Sequence, residues 1–219
     1  MRHIALGLLI VCLSFASACS KADAAAAIPA PAVDEPKGQP SDRFAVFAGG
    51  CFWGIEAVFE HVKGVKSATS GYAGGSSASA HYPMVSGGKT GHAEAVQVVY
   101  DPSQISYGQL LQIFFSVAHD PTQLNRQGPD QGPQYRSALF FASPDQQRIA
   151  QAYIDQLNKA KVFKKAIVTT VTPLDAFYPA EPYHQDFMAH HPNDLYIVMN
   201  DAPKVGRLQE QFPRIYKNK

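Results

Sequence analysis

The sequence predicts an α/β fold, a two-layer sandwich with a mixed sheet and a ferredoxin-like core. Segments with strand and helix patterns alternate in the order βαβ, βαβ, αβ, and the helices are short. Beyond an unusual N-terminal segment of 40 residues, 179 of the 219 residues remain, which is the size of one domain. A single sheet covered by helices is the arrangement that fits this order and length.

The composition is that of an ordinary globular protein. Hydrophobic residues make up 46% of the chain and charged residues 17%, and 19 basic side chains balance 18 acidic ones to a formal net charge of +1. This balance excludes a disordered polyampholyte and a nucleic-acid binder that works through bulk positive charge. The length excludes a large multi-domain machine.

Residues 1–19 have the pattern of a signal peptide of the lipoprotein type. Arg2 and His3 precede an apolar run of 12 residues, which is too short to span a membrane. The segment 16–19, Ala-Ser-Ala-Cys, resembles the site at which a cysteine becomes the lipidated first residue of a mature chain. Cleavage by an ordinary signal peptidase, which would remove Cys19, stays open. Both alternatives predict export to the periplasmic side of a bacterial envelope, the first with a lipid anchor at Cys19.

Residues 20–40 are rich in alanine and proline and contain no aromatic side chain. Such a composition cannot bury a core, so it predicts a flexible linker. The catalytic domain is then expected to cover residues 41–219.

The first elements of the domain are a strand, a tight turn and a helix. The apolar run 44–48 predicts a buried strand that ends at Gly49 and Gly50. A helix follows because apolar side chains recur with helical spacing, at Ile55, Val58, Phe59 and Val62. Gly64 is a typical residue after a helix C-terminus.

A second strand–strand–helix region follows. Residues 65–72 predict a weaker strand, and a loop rich in small residues leads to a clear strand over 93–100. Ser106 and Gln109 form a capping box, which predicts that the next helix begins there.

The C-terminal part begins with a loop of 16 residues, 119–134, which is long enough to suggest a functional role. The remaining expected elements are a strand over 135–142, a helix over 144–159, a strand over 166–172, an irregular region after Pro173 and a last helix over 205–216.

Cys51 is the first candidate for chemistry. The other two cysteines, Cys12 and Cys19, lie in the leader, so neither a disulfide framework nor a structural zinc site is available around Cys51, and we expect no metal. Its place at the start of a helix predicts a stabilised thiolate with a lowered pKa, and therefore a nucleophile. The alternative is a small, buried, unreactive side chain.

Glu94 is the second candidate, because strand alternation places it on the same face as Val96 and Val98. A carboxyl group on an apolar face has a raised pKa and can donate a proton near neutral pH. Phe52 and Trp53 follow the thiol directly and predict an apolar wall beside it.

Three further polar side chains, Tyr82, Asp130 and Tyr135, lie in or beside the irregular loops, where ligand contacts concentrate. Taken singly, each is also compatible with a surface or turn position.

The segment Gly50-Cys51-Phe52-Trp53-Gly54 resembles the signature of the peptide methionine sulfoxide reductase A family. Further segments that match this family, in the same order, cover about residues 44–200: 71–75 (GYAGG), Tyr82, 91–94 (GHAE), 119–122 (HDPT), 126–130 (RQGPD), 134–137 (QYRS) and 180–185 (AEPYHQ).

The resemblance implies stereospecific reduction of methionine S-sulfoxide, free or in oxidised proteins. Cys51 would attack the sulfur and become a sulfenic acid, and Glu94 would protonate or hydrogen-bond the oxygen. The resemblance also implies that Tyr82 and Tyr135 hydrogen-bond the sulfoxide oxygen and that Asp130 organises the same polar part of the site. Phe52 and Trp53 would hold the methyl group. It implies no bound cofactor.

Many members of the family carry resolving cysteines near the C-terminus, and this sequence has no cysteine after Cys51. We therefore expect an external thiol reductant, such as thioredoxin, glutaredoxin or glutathione. One alternative is an exported cysteine peptidase or amidase, which would need His92, His119 or His184 beside Cys51. Another is a non-catalytic envelope lipoprotein that binds a partner.

Overall fold

The computed structural model describes residues 27–219, and its centre is a six-stranded mixed sheet in the order β7-β6-β1-β3-β2-β8. Neighbouring strands are antiparallel except β6 and β7, which are parallel. A separate hairpin joins β4 and β5. The strands are β1 (Arg43–Gly49), β2 (Val65–Ala73), β3 (Ala93–Tyr100), β4 (Arg126–Gln127), β5 (Asp130–Gln131), β6 (Ser137–Phe141), β7 (Thr170–Pro173) and β8 (Phe177–Pro179).

The helices and one face of the sheet form the main hydrophobic core. Phe47 of β1 and Val96 of β3 contribute to this core from the sheet. The opposite face carries small side chains such as Ala48 and Ala95 and is covered in part by Leu174. The helices are α1 (Phe52–Glu60), α2 (Tyr82–Val85), α3 (Tyr107–Ile113), α4 (Pro144–Lys159), α5 (Phe187–His190) and α6 (Ala202–Gln211). The predicted α/β fold with a mixed sheet is therefore confirmed.

Local signals in the sequence set several helix boundaries. The Ser106 hydroxyl accepts a hydrogen bond from the Gln109 backbone N–H at 3.1 Å, and the Gln109 side chain accepts from the Ser106 N–H at 3.0 Å. This is the predicted capping box, and α3 begins directly after it. In the same way, the Ser143 hydroxyl caps α4. No helix in residues 27–219 has the length and apolar character needed to cross a membrane.

Several short elements were not predicted. The loop before residue 92 contains α2, the loop 119–134 contains the β4–β5 hairpin, and the region after Pro173 contains β8 and α5. β7 spans Thr170–Pro173 rather than 166–172, and α6 ends at Gln211 rather than at residue 216. β8 pairs with a distant partner, β2, so a local sequence pattern does not indicate it. α2, α5, β4 and β5 have at most four residues each, which is too short for a periodic pattern.

The N-terminal part of the described chain lies against the domain. Residues 27–40, which the sequence assigns to a flexible linker, contain no helix or strand, but they follow the surface of α3 and α4. The Tyr153 hydroxyl donates to the Pro29 carbonyl at 2.7 Å, and Gln156 exchanges hydrogen bonds with Ala30 and Ala32. Backbone groups of the segment make these contacts, so a segment without an aromatic residue still binds the domain. The signal peptide, Cys19 and residues 20–26 lie outside the described residues.

Two carboxylates of this segment cap α3 from outside. Asp34 accepts from the Gly108 N–H at 2.8 Å, and Glu35 accepts from the Tyr107 N–H at 2.9 Å and from the Tyr100 hydroxyl at 3.1 Å. Anionic groups at a helix N-terminus satisfy free N–H donors and interact favourably with the helix dipole.

We expect the double substitution Asp34→Ala and Glu35→Ala to lower the free energy of unfolding by about 2 kcal/mol, because it removes two caps from α3. Denaturant unfolding measures the change. Lys37→Ala, at an exposed position of the same segment, is the control and should have almost no effect. Equal free energies of unfolding for the double variant and the unsubstituted chain would show that Asp34 and Glu35 do not stabilise α3.

Candidate active site

Cys51 lies in the turn between β1 and α1, at the N-cap position of the helix. Gly50 before it has a φ of +102°, and a side chain at this position would come within 2.6 Å of the Gln127 side chain. Glycine is therefore required for both the backbone conformation and the close packing. The turn brings the Cys51 thiol to the start of the helix, with 7% of the residue exposed.

The pKa of Cys51 is raised well above its ordinary value. Burial is the main cause, and the nearby carboxyl groups of Glu94 and Asp201 add to it. The Trp53 N–H and the Lys204 ammonium act in the opposite direction, but they do not compensate. The expected lowering of the thiol pKa by the helix N-terminus is thus wrong for the resting protein, because desolvation outweighs the helix dipole.

Alkylation of Cys51 by iodoacetamide should consequently be slow at about pH 7 and should still accelerate at a pH above the ordinary thiol pKa of about 8.5, because only the thiolate reacts. Mass spectrometry of the Cys51 peptide across this pH range measures the rate. The unfolded chain is the control, since its thiol should return to a pKa of about 8.5. A folded protein that reacts at its maximal rate near neutral pH would contradict the raised pKa.

Glu94 is the second residue of β3 and is 2% exposed. Its carboxylate accepts a hydrogen bond from the Phe52 N–H at 3.2 Å, in the first turn of α1. Burial, followed by the charges of Asp130 and Asp201, raises the pKa of Glu94 to about 8. Strand alternation predicts that Glu94 lies on the core face, and the structure places it there, close to the Cys51 thiol. Its raised pKa favours the protonated carboxyl group near neutral pH.

The two aromatic residues after Cys51 are held from several sides. Phe52 is fully buried and its ring lies 5.0 Å from that of His184. Trp53 stacks on Phe187 with ring centroids 3.8 Å apart, and its indole N–H donates to His184 Nδ1 at 3.2 Å. Side chains from the region after Pro173 therefore fix the orientation of the predicted aromatic wall.

Several polar side chains lie around the Cys51 thiol. Burial is the main cause that raises the pKa of Tyr82 and the pKa of Tyr135, and the charges of Glu94 and Cys51 add to both shifts. Asp130 of β5 accepts a hydrogen bond from the Tyr196 hydroxyl at 2.5 Å. Tyr82 from one segment, and Asp130 and Tyr135 from another, thus lie within electrostatic range of Glu94.

Sequence reasoning missed several residues that support this group. Glu181 accepts from the Tyr82 N–H at 2.9 Å and from the Tyr72 hydroxyl at 2.8 Å, and so positions Tyr82. Glu181 lies in one of the matching family segments, which was a usable signal. Tyr196, whose ring lies edge-on to Trp53 at 5.9 Å, carries no such signal, because neither a periodic pattern nor a matching family segment includes it.

A buried ion pair covers the first turn of α1. Lys204 Nζ lies 3.0 Å from Asp201 Oδ1, and both side chains are almost fully buried. A side chain at Gly54 would come within 2.1 Å of Asp201 Oδ1, so this position needs glycine for the pair to approach the helix. The three-residue spacing of Asp201 and Lys204 was visible in the sequence, but their burial was not.

The three histidines that a cysteine peptidase would need are engaged elsewhere. His119 contacts the Phe114 carbonyl and the Ser137 hydroxyl, His92 contacts the Ser76 carbonyl, and His184 accepts from Trp53. Across residues 27–219, no hydrogen bond joins Cys51 to a histidine. The alternative of a peptidase or amidase is therefore not supported.

Comparison with known proteins gives a consistent result. The family described as "Peptide methionine sulfoxide reductase" matches residues 43–215. A relative from Mesorhizobium japonicum, "Peptide methionine sulfoxide reductase MsrA 2", is 57% identical over 183 residues, which are 84% of this chain and 94% of that protein. A relative of the same name from Synechocystis is 59% identical over 168 residues, covering 77% of this chain and 78% of that protein.

Two solved structures are also similar. Reduced Mxr1 from Saccharomyces cerevisiae superposes with a TM-score of 0.62 at 35% identity, covering 69% of this chain and 87% of that one. Methionine sulfoxide reductase A of Corynebacterium diphtheriae has a TM-score of 0.60 at 36% identity, covering 72% and 78%. The site geometry and these similarities agree, and the chain belongs to the peptide methionine sulfoxide reductase family.

Proposed function

We propose that the protein reduces the S-sulfoxide of methionine, free or in oxidised proteins, to methionine. The observation that carries this proposal is the pairing of a buried thiol, Cys51, with Glu94, a carboxyl group that burial keeps protonated near neutral pH. A sulfoxide sulfur is a poor electrophile until its oxygen is protonated or strongly hydrogen-bonded. A nucleophile and an acid at one small site meet this need.

The first half of the cycle balances with these two groups alone. Glu94 gives its proton to the sulfoxide oxygen while Cys51 Sγ, as it loses its own proton to the Glu94 carboxylate, bonds to the activated sulfur. The oxygen then moves with its proton from the substrate sulfur to Cys51 Sγ. The sulfur–oxygen bond of the substrate and the transient bond between the two sulfur atoms both break, and methionine leaves. Sulfur is reduced in the substrate and oxidised in Cys51, which ends as a sulfenic acid.

The surrounding side chains divide the recognition of the substrate. The rings of Phe52 and Trp53 offer an apolar surface for the methyl group, whereas Tyr82 and Tyr135 offer hydroxyl donors for the oxygen. Asp130 organises the polar side through its hydrogen bond with Tyr196. Recognition of the methyl group on one side and of the oxygen on the other would favour one epimer at sulfur.

The second half of the cycle requires another molecule. Cys51 is the single cysteine after residue 19, so we expect thioredoxin, glutaredoxin, glutathione or a similar thiol to reduce its sulfenic acid directly. An intramolecular disulfide in oxidised mature protein, detected by mass spectrometry, would contradict this one-cysteine cycle.

We also propose the cellular context from the leader alone. The signal-peptide pattern of residues 1–19 supports export to the periplasmic side of a bacterial envelope, and Cys19 supports a lipid anchor there.

For the fold, we propose a ferredoxin-like core of β6, β1, β3 and β2. Their antiparallel order, with α1 between β1 and β2 and α3 between β3 and β6, supports this assignment.

The experiment that tests the activity treats the two epimers of methionine sulfoxide, separated by chiral chromatography, with the protein and dithiothreitol as reductant. It then measures the methionine formed from each epimer. We expect methionine from the S epimer and none from the R epimer. Reduction of both epimers, or of neither, would contradict the proposed function.

A further inference from the structure

A groove of about 310 Å³ opens beside Cys51, between the 119–130 loop and the C-terminal region that carries Tyr196 and α6. Cys51 lines it together with Gln127, Asn200, Lys204 and Arg207. Asp130 and Tyr196, which belong to the polar side of the site, also line this groove. The side chains proposed to hold the methyl group or to donate to the sulfoxide oxygen do not line it: Phe52, Trp53, Tyr82, Glu94 and Tyr135. The groove therefore reaches Cys51 from a side that these five residues do not line.

The chemistry of a sulfenic acid indicates what this groove could be used for. A thiolate displaces the oxygen of a sulfenic acid by attacking sulfur from the side opposite the sulfur–oxygen bond. In the proposed first half-reaction the oxygen reaches Cys51 on the side of Glu94. The attacking thiol must then come from the opposite side of the sulfur, away from Glu94, and the groove is the opening to Cys51 that Glu94 does not line.

The charges in the groove indicate what kind of thiol fits. Lys204 is paired with Asp201, Asp130 accepts from Tyr196, and the Asp120 carboxylate is occupied by Thr122 and Gln123. Arg207 differs, because its guanidinium donates to the Val117 carbonyl at 3.2 Å and, within the part of the chain that the structure describes, forms no salt bridge. The charge of Glu210, on the same helix, acts on Arg207 without a salt bridge between the two side chains. An exposed arginine that forms no salt bridge is suited to bind a carboxylate from solution.

We propose that this groove is the binding site for the reductant, a small thiol that carries a carboxylate, and that Arg207 binds this carboxylate. The inference rests on the proposed function. In the first step the thiol RSH and the Cys51 sulfenic acid form a mixed disulfide and water. In the second, another RSH reduces the mixed disulfide, which restores the Cys51 thiol and releases RSSR, so the thiols are oxidised and Cys51 is reduced.

The test measures the two half-reactions of the full-length protein separately. Reduced protein is mixed with methionine S-sulfoxide without thiol, and methionine formation gives the rate of the first half-reaction. The oxidised protein is then mixed with glutathione, which carries carboxylates, or with 2-mercaptoethanol, which does not. We expect Arg207→Glu to slow recovery of the Cys51 thiol by glutathione roughly tenfold, to leave recovery by 2-mercaptoethanol unchanged and to leave the first half-reaction unchanged.

Gln209→Glu is the matched control, since it adds a negative charge to an exposed position of α6 that does not line the groove, and it should behave like the unsubstituted protein. Equal recovery by glutathione in Arg207→Glu and unsubstituted protein would overturn the proposal, as would equal slowing with both thiols. If the unsubstituted protein forms no methionine in the first half-reaction, the proposed function fails rather than the groove.

Discussion

Cys51→Ser should lose at least roughly 10³-fold in the rate of methionine formation, because removal of the attacking atom abolishes the covalent step. A serine hydroxyl does not ionise near neutral pH, and its oxygen cannot accept a second oxygen as sulfur does. The substitution is nearly isosteric in a buried position, so the fold should tolerate it.

The measurement is single-turnover methionine formation from the S epimer, with the thermal midpoint as a control for folding. Cys51→Ala serves as a second variant, since it also removes the sulfur but leaves no hydroxyl. If either variant folds and keeps more than a tenth of the rate, Cys51 is not the nucleophile.

Glu94→Gln should slow the first half-reaction by about 10² to 10³-fold, within the range usual for loss of a general acid. The amide preserves the shape and still accepts the Phe52 N–H, but it cannot transfer a proton to the sulfoxide oxygen. Because the pKa of Glu94 is raised to about 8, the carboxyl group is protonated below that pH and loses its proton above it. The rate in unsubstituted protein should therefore fall as the pH rises through about 8, and this decline should be absent in Glu94→Gln.

Glu56→Gln provides a matched control for Glu94→Gln. Glu56 is also buried, and its pKa is also raised, to about 7, mainly by burial, but it contacts Ser70 and Asp186 rather than the thiol. We expect the Glu56 variant to keep both the rate and the pH decline. The same decline in Glu94→Gln as in unsubstituted protein would assign the acid role to another group.

Local signals predicted the parts of the structure that depend on neighbouring residues. The capping box at Ser106, the glycines before Cys51 and the alternation that turned Glu94 toward the core each act within a few residues. From these signals the main strands and helices could be inferred, whereas the juxtaposition of thiol and carboxyl group was implied by the family resemblance.

The rest depends on distant contacts or on burial. The attachment of Asp34 and Glu35 to α3 joins residues more than 70 positions apart. The thiol pKa required knowledge of how completely Cys51 is desolvated and that Asp201 lies nearby. No periodic pattern encodes these quantities, so the helix N-terminus alone led to the wrong direction of the shift.

The most direct measurement of the central claim is a single turnover without thiol, followed by mass spectrometry of the Cys51 peptide after trapping with dimedone. We expect one methionine per protein from the S epimer, none from the R epimer, and a dimedone adduct on Cys51 that marks its sulfenic acid. Methionine formation that leaves Cys51 as an unmodified thiol would contradict the account.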